Sequence, residues 1–333
     1  MSTPVPSIFD RMRTKTGRSP SSFITISAVV LVLIPLIIVW LEGYWDEVFS
    51  QRSWRAIFLH PAIIVYILIM ERVFKRMEVD VLRGLHEVVR LSDEKFNQLV
   101  YKTAMLIVRN ELPALLVGAV IGLLFSSPWE LYQDFSWLVL YLTIISCLMY
   151  ALLGWVVYSS IVGTRLPAEL YRHKLDIDIF DLKPFEPIGR QSLAVSLAFM
   201  GGIAISLLFS DVSEGLFTVQ FWLIYLVLIV VAVLVFFLNM IPTHRVLSAA
   251  KNEEMEAVKQ NLIGAYRELM NQGASGADTQ ASAVELNAWK ISQEMVEDSK
   301  TWPYNIETLR NLLFTVLIPG TAALVKLFIQ IYF

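Results

Sequence analysis

The chain has 333 residues, of which 56% are hydrophobic and only 17% are charged, whereas roughly a quarter of the residues in a soluble domain are charged. Its mean hydropathy is +0.59, and the apolar residues are gathered in long blocks. This composition excludes an ordinary soluble enzyme and predicts an all-α, polytopic membrane helical bundle in a lipid bilayer. The net charge of −3 says little by itself, and we expect no nucleic-acid partner.

Transmembrane helices need about 17 to 25 apolar residues to cross a hydrocarbon core of roughly 30 Å. The sequence predicts seven of them, or six if the short block 112–125 is re-entrant. That block extends backwards through 104–108, which indicates one long helix entering the membrane near Pro113. The predicted division is a basic tail at 1–22, transmembrane helices 1 and 2 at 23–70, cytoplasmic amphipathic helices at 71–111, transmembrane helices 3 and 4 at 112–162, a cytoplasmic or interfacial loop at 163–191, transmembrane helices 5 and 6 at 192–241, a cytoplasmic helical hairpin at 242–308 and transmembrane helix 7 at 309–333.

The distribution of Lys and Arg predicts the orientation of these helices. Of the 27 Lys and Arg residues, 24 lie in the N-terminal tail and in every second connection between spans, counting Arg310 at the start of the last span. The remaining connections are short and acidic, and they contain only two basic residues, Arg52 and Arg55. Because positive loops stay inside, we expect the N-terminus in the cytoplasm and, with seven spans, the C-terminus outside the cell membrane. The first span lacks a cleavage site and should remain as an anchor.

The cytoplasmic segments show helical periodicity. Apolar residues of 71–91 follow three- and four-residue steps, and Ser92 is a predicted N-cap of a second helix. After the sixth span, one side of a helix carries Met255, Val258, Leu262, Ala265 and Leu269. A polar linker at 271–280 should lead into a return helix that brings Leu286, Trp289 and Val296 to the same side. We expect a helical anchor under the membrane; homo-oligomerisation or binding of a cytoplasmic protein partner is the alternative use of this surface.

No recognisable catalytic or nucleotide-binding motif occurs in the sequence, so we predict no catalytic residue and no cofactor. The four histidines lie in four separate segments without a ligand partner at metal-binding spacing, and we therefore predict no metal site. The single cysteine, Cys147, lies in an apolar block and is interpreted as a small packing residue. Gly118 and Gly122 are four residues apart, which permits close helix approach.

Four polar residues inside the spans are candidates for lining a transport path. Lys326 is the one charged residue well inside a span, and Gln330 lies one turn further on the same face. A lysine at that depth faces protein or water, or else extends its ammonium group to the surface. His60 precedes Pro61 in the second span, where a structural kink and a proton-sensitive contact are both possible. Asn239, at the inner end of the sixth span, is interpreted as an interhelical hydrogen bond or a cap.

Three carboxylates alternate with apolar residues just before the fifth predicted span, namely Asp176, Asp178 and Asp181. Pro184 and Pro187 follow and should break any helix. One interpretation is an interfacial elbow with its acids in water. The other is a cation site or gate latch, in which the acids pair with Arg165, Arg172 or Arg190.

Two stretches, 177–184 and from Trp302 to Pro319, resemble uncharacterised bacterial multi-pass membrane proteins, a resemblance that implies no activity. The arrangement of seven spans, with the N-terminus inside and a cytoplasmic helical anchor, is similar to that of insect chemoreceptor-type channels. We therefore expect a channel or transport-type protein. A membrane scaffold or signalling subunit is the first alternative, and an integral membrane enzyme acting on lipid is the second.

Overall fold

The computed structural model describes residues 17, 19–50, 54–126, 136–209, 219–275 and 279–302, together with Arg310 and Phe314. Within these ranges the chain is helical and has one isolated β-bridge instead of a sheet. The helices are α1 Pro20–Leu41, α2 Trp45–Ser50, α3 Trp54–Val88, α4 Asp93–Arg109, α5 Glu111–Phe125, α6 Trp137–Val162, α7 Arg165–Leu170, α8 Glu186–Phe209, α9 Val219–Ser275 and α10 Gln280–Asp298, with a 3-10 turn at Lys183–Phe185.

Six helical stretches in the described part of the chain are long and apolar enough to cross a membrane. They correspond to α1, α3, α4 with α5, α6 with α7, the 3-10 turn with α8, and the part of α9 from Ile229 onward. The all-helical class is thereby confirmed, and the six apolar helices agree with the membrane-protein interpretation of the composition. The predicted seventh helix at 309–333 lies outside the described residues, apart from Arg310 and Phe314.

Hydroxyl groups connect the spans through hydrogen bonds to backbone carbonyls. Tyr66 on α3 donates to Ala198 O at 2.9 Å, and Tyr141 on α6 donates to Leu31 O at 3.0 Å. Ser192 and Ser196 on α8 donate to carbonyl groups of α9 at 2.8 and 3.0 Å. In a bilayer, where apolar packing has little driving force, such bonds help to select which helices associate.

Small residues allow α5 and α6 to pack very closely. A Cβ atom on Gly122 would lie 2.8 Å from the Cα of Cys147, and one on Gly118 would lie 2.8 Å from the Cα of Ala151. Gly154 meets the same interface from the α6 side, since its Cβ would lie 3.0 Å from Ala114 O. The predicted close approach at Gly118 and Gly122 is confirmed, and the backbone of Cys147 lies at this contact.

A compact apolar core closes one end of the bundle, which we call the hairpin end. It combines residues of α3, α4, α7, the 3-10 turn, α8 and α9, including the fully buried Leu85, Leu170 and Phe185. α3 is one continuous helix from Trp54 to Val88 and buries Val81, Leu85 and Val88 at the predicted three- and four-residue steps. As predicted, α4 begins directly after Ser92. The two helices are further linked by His86 and Asp93, whose side chains are 3.1 Å apart.

At the hairpin end, α9 leaves the bundle and α10 returns antiparallel to it. Val258 and Val296 are almost completely buried between the two helices, with Met255 and Trp289 beside them. The side of α9 that the spacing predicted therefore faces α10. The predicted break at 271 is wrong, because α9 continues to Ser275. The Ser282 hydroxyl of α10 donates a hydrogen bond to the side-chain oxygen of Gln272 at 2.6 Å, which holds this last turn of α9 against α10.

The predicted single helix through 104–125 is interrupted. Asn110 has φ −104° and ψ 8°, outside the α-helical region, so the chain forms α4 and α5 instead of one continuous helix. Pro113 supplies part of the reason, because it has no N–H to bond the carbonyl of Arg109 and its ring crowds the preceding turn. Pro187, by contrast, does not break α8: it lies in the first turn, where no intrahelical N–H bond is needed.

Candidate functional site

The structure describes only part of the predicted set of pathway residues. Lys326 and Gln330 lie outside the described residues, and for Asn239 only the backbone is described, within α9. His60 is half-buried on α3, which continues as a helix through Pro61. The Nδ1 atom of His60 is buried without a hydrogen-bond partner among the described residues. The structure therefore does not bring these four residues together into one described site.

The segment that contains Asp176, Asp178 and Asp181 is extended, and the three carboxylates are exposed. Asp176 pairs with Arg90 at 2.7 Å, whereas Asp178 and Asp181 accept hydrogen bonds from backbone N–H groups two residues further on. These local bonds shape the turns that lead into the 3-10 helix. The predicted ion pair of these acids with Arg165, Arg172 or Arg190 does not form among the described residues, and Arg172 instead pairs with Glu169 at 3.1 Å. All three side chains are exposed, which agrees with the interpretation of an interfacial elbow.

The apolar residues of the same segment point the other way and join two parts of the molecule. Leu175 forms the β-bridge with Val89, and Ile177 packs on the core at the hairpin end. Two residues further on, Ile179 is 8% exposed and packs between Val258 of α9 and Val296 of α10. The alternation of acids with apolar residues thus belongs to a wedge between the bundle and the hairpin.

The most unusual polar residue in the described chain is Glu111, which is 2% exposed. It is the first residue of α5, directly after the interruption at Asn110. Its spacing of seven and eleven residues from Gly118 and Gly122 places it on the glycine face that packs against α6. A carboxylate is almost never fully buried unless other groups compensate its charge.

Tyr158 on α6 relates this carboxylate to two further polar residues. The side chain of Asn110 is hydrogen-bonded to the hydroxyl of Tyr158 on α6, one turn beyond Gly154. Both Glu111 and Arg165, at the start of α7, are near enough to interact electrostatically with Tyr158. Arg165 and Asn110 are exposed, so the cluster extends from buried carboxylate to water. We refer to Asn110, Glu111, Tyr158 and Arg165 as the Glu111 cluster.

The Glu111 cluster lies within a stretch of the chain that is long enough to cross a bilayer, although α5 alone is too short. Fifteen residues of α-helix extend only about 22 Å, which is shorter than a hydrocarbon core of roughly 30 Å. The stretch that is long and apolar enough to cross a membrane runs from Asp93 to Phe125, so the interruption at Asn110 lies within it. Non-helical backbone within a membrane span occurs where protein or a water-filled cavity surrounds it.

The chemistry available to the cluster is that of proton or cation exchange. A carboxylate such as that of Glu111 can accept a proton or coordinate a cation, and the Tyr158 hydroxyl lies within its electrostatic range. Arg165 supplies a permanent positive charge at the exposed end. Among the described residues, no group of three His, Cys, Asp or Glu side chains is placed to hold a metal ion.

Sequence reasoning missed this cluster because Glu111 falls at the boundary between a basic loop and an apolar block. Two signals were available. Glu111 precedes Pro113 at the point where a span begins, and it shares a helical face with Gly118 and Gly122. Because the small-residue face packs against a neighbouring helix, a carboxylate on that face points to protein and not to lipid, and the two signals together predict its burial.

A second polar junction fixes α10 at the hairpin end. The ammonium group of Lys251 donates to the carbonyls of Glu297 and Ser299 at 2.6 and 2.8 Å, and it thereby caps the C-terminus of α10. The His244 ring stacks on Trp302 with 4.2 Å between centroids. Nearby, burial raises the pKa of Tyr171, whose hydroxyl is 2.9 Å from the hydroxyl of Thr243.

Comparisons of the chain with protein families, with curated proteins and with solved structures find no match.

Proposed function

We propose that this chain is a channel or transport-type protein of the cell membrane in which the Glu111 cluster forms part of the permeation path. The observation that carries the proposal is a fully buried carboxylate at the interruption of a membrane-spanning helix. Ionisable residues within spans mark ion and proton paths more often than packing contacts. Interrupted helices supply substrate and ion sites in many transporters.

The proposed topology has seven transmembrane helices, with the N-terminus in the cytoplasm and the C-terminus outside. Its support is the concentration of 24 of the 27 Lys and Arg residues in the tail and alternate connections. In this orientation the hairpin end is cytoplasmic, and the α9–α10 hairpin is the predicted anchor under the membrane. The Glu111 cluster then lies at the inner mouth of the path, and Arg165 at its water-facing edge.

A flux assay in reconstituted vesicles tests the proposal. Purified protein in vesicles, with an imposed membrane potential and an entrapped pH dye, should carry protons or alkali cations faster than protein-free vesicles. Glu111→Gln keeps the size of the side chain and removes its charge, and it should lower that flux by about tenfold or more. Glu94→Gln is the matched control, because it changes an exposed carboxylate on the neighbouring helix α4 and should leave the flux at the wild-type value.

Two results would overturn the proposal. One is a wild-type flux of protons, sodium and potassium equal to that of protein-free vesicles. The other is equal flux in Glu111→Gln and wild type, with both proteins folded to the same melting temperature. In the second case Glu111 would be a packing residue of the α5–α6 pair, and the path would run elsewhere.

Lys326 offers a separate test of the path, because its place in the last predicted span is hard to explain by lipid packing. If Lys326 and Gln330 line the path, Lys326→Glu should change ion preference, whereas Lys326→Met should remove the local positive field and keep the volume of the stem. If the ammonium group extends to the membrane surface instead, both variants should transport like wild type. Flux and selectivity at matched expression distinguish the two outcomes.

A membrane scaffold is the second candidate, and the length of α9 favours it. This helix is continuous over 57 residues, from the span into the hairpin, and the wedge at Ile179 together with the Lys251 cap holds α10 against it. Such a rigid connection would transmit movement between the bundle and a cytoplasmic partner or a second copy. A defined oligomer in detergent that dissociates with Ile263→Asp and Met270→Asp would support this candidate, because these two exposed residues lie outside the side of α9 that faces α10.

A further inference from the structure

Helix α10 carries a second apolar face, directed away from α9. Its members are the exposed side chains Val284, Ala288, Ile291 and Met295, which follow one another at steps of four, three and four residues. Val284 is 66% exposed, Ile291 51% and Met295 54%. We call these four residues the outer stripe. They differ from Leu286, Trp289 and Val296, which lie on the face toward α9.

The outer stripe is more than scattered surface hydrophobicity. Single exposed apolar residues are common, but a run at helical spacing over three turns is the pattern of a helix that is covered on that side. The stripe is about 16 Å long. An amphipathic segment of two or three turns would therefore be sufficient to cover it.

The charges on α10 restrict the chemistry of the occupant. Between Gln280 and Asp298 the helix has four acidic residues, Glu285, Glu294, Glu297 and Asp298, and one basic residue, Lys290. This excess of negative charge disfavours an anionic membrane surface and also a second copy of α10, because both would bring like charges together. The occupant that fits is a short apolar segment with a cationic flank.

The N-terminal tail of the same chain has these properties. It contains the apolar residues Val5, Ile8, Phe9 and Met12, together with four basic residues, Arg11, Arg13, Lys15 and Arg18, and a single acid, Asp10. The tail joins α1 at Ser19, and the up-and-down order of α1 and α3 places that joint at the hairpin end.

The tail is also long enough to reach the stripe. Met12 and Ile8 are seven and eleven residues from Ser19, which in extended form is about 23 to 36 Å. The near end of the stripe, Met295, is two residues from Glu297, whose carbonyl accepts a hydrogen bond from Lys251, about one turn of α9 beyond Leu247 in the core at the hairpin end. We propose that residues 5–18 of the tail bind the outer stripe of α10, with Ile8, Phe9 and Met12 on the stripe and the Arg and Lys side chains on its acidic flanks. This contact would link the first transmembrane helix to the hairpin.

Intrachain cross-linking tests the contact in the full-length protein. In a Cys147→Ser background, Phe9→Cys is combined with Ile291→Cys, and membranes are treated with a short bifunctional thiol reagent. The matched control combines Phe9→Cys with Gln260→Cys, an equally exposed site on the side of α9 turned away from α10. We expect intrachain product for the Ile291 pair at ten times the control yield or more, measured by mass spectrometry of the linked peptides.

Charge reversal provides the second measurement. Glu285→Lys with Glu294→Lys should lower the yield several-fold, and Arg11→Glu with Arg13→Glu should restore it in the combined variant. Equal yields for the Ile291 and Gln260 pairs would overturn the proposal. An interchain product between two Ile291→Cys copies, without the intrachain product, would also overturn it and would assign the stripe to a second copy.

Discussion

Two glycines on α5 set how closely that helix approaches α6. A Cβ on Gly118 would meet the backbone of Tyr150 and Ala151, and backbone cannot move aside as a flexible side chain does. Glu111 lies at the N-terminal end of this glycine face and is the one carboxylate in α5. The close approach and the burial of the carboxylate are therefore consequences of one packing surface.

Replacing Gly118 by alanine should destabilise the protein by about 1–3 kcal/mol, because the added methyl group overpacks the interface. Gly264 is the control: it lies in an exposed part of α9, where a Cβ would have nothing within 4 Å. There the substitution should be neutral or stabilise by up to about 1 kcal/mol, since alanine is the better helix former. Thermal unfolding in detergent measures both, and a Gly118→Ala protein as stable as Gly264→Ala would contradict the packing described.

Tyr171 provides a pH-dependent test at the hairpin end. Burial raises the pKa of its hydroxyl above the usual value near 10, so the folded protein retains a proton that the unfolded chain releases. Stability should therefore fall as the pH rises through about 10. In Tyr171→Phe this part of the loss should disappear, while stability at pH 8 should drop by about 1 kcal/mol with the hydrogen bond to Thr243.

The measurement for Tyr171 is the melting temperature between pH 8 and pH 11. Tyr101→Phe is a suitable control, because Tyr101 is 56% exposed on α4 and its substitution should leave the wild-type slope unchanged. A Tyr171→Phe protein with the wild-type alkaline slope would show that Tyr171 is not buried in the folded state.

At the scale of elements, the extended segment between α7 and the 3-10 turn connects the bundle to the hairpin. Its acidic side chains are exposed, and Asp176 pairs with Arg90. Its apolar side chains pack in the core at the hairpin end and in the core between α9 and α10. Ile179 is the single residue of this segment in the core between α9 and α10. The hairpin is therefore held by side-chain packing as well as by the continuity of α9.

Truncation of Ile179 to alanine should loosen the hairpin by roughly 2–4 kcal/mol, the usual range for a buried isoleucine. The neighbouring Phe180 is 56% exposed, and Phe180→Ala should change stability by less than about 0.5 kcal/mol. Hydrogen exchange of α10 amides distinguishes the variants, with faster exchange expected for Ile179→Ala alone. Similar exchange in both variants would mean that the wedge does not stabilise the hairpin.

At the scale of the whole molecule, the orientation of the bundle determines what each surface meets. The proposed topology rests on charge, so it is testable without knowledge of the transported species. In a Cys147→Ser background, a cysteine at Asp211 or Glu214 should react with an impermeant thiol reagent added to intact cells. A cysteine at Ser275, in the hairpin, should react only after the membrane is opened. Labelling of Ser275→Cys in intact cells would reverse the proposed orientation.

The sequence by itself determined the class of the molecule and most of its helices, because apolar blocks and helical periodicity are local properties. Apolar length predicted the described spans, and the steps among Met255, Val258 and Leu262 predicted which side of α9 meets α10. The glycine pair predicted a close helix contact, although its partner helix could not be named. Only the fold showed that this partner is α6.

Tertiary structure alone decided which polar residues come together. Glu111 and Tyr158 are 47 positions apart, and Ile179 meets Val258 and Val296 across still longer separations, so no local pattern contains these contacts. The partner of Asp176 was likewise chosen by the β-bridge that brings Val89 beside Leu175, since that pairing places Arg90 within reach. Local patterns specify which face of an element is apolar, whereas the partners of polar groups depend on how the elements pack, because a charge is satisfied by whichever group packing brings near.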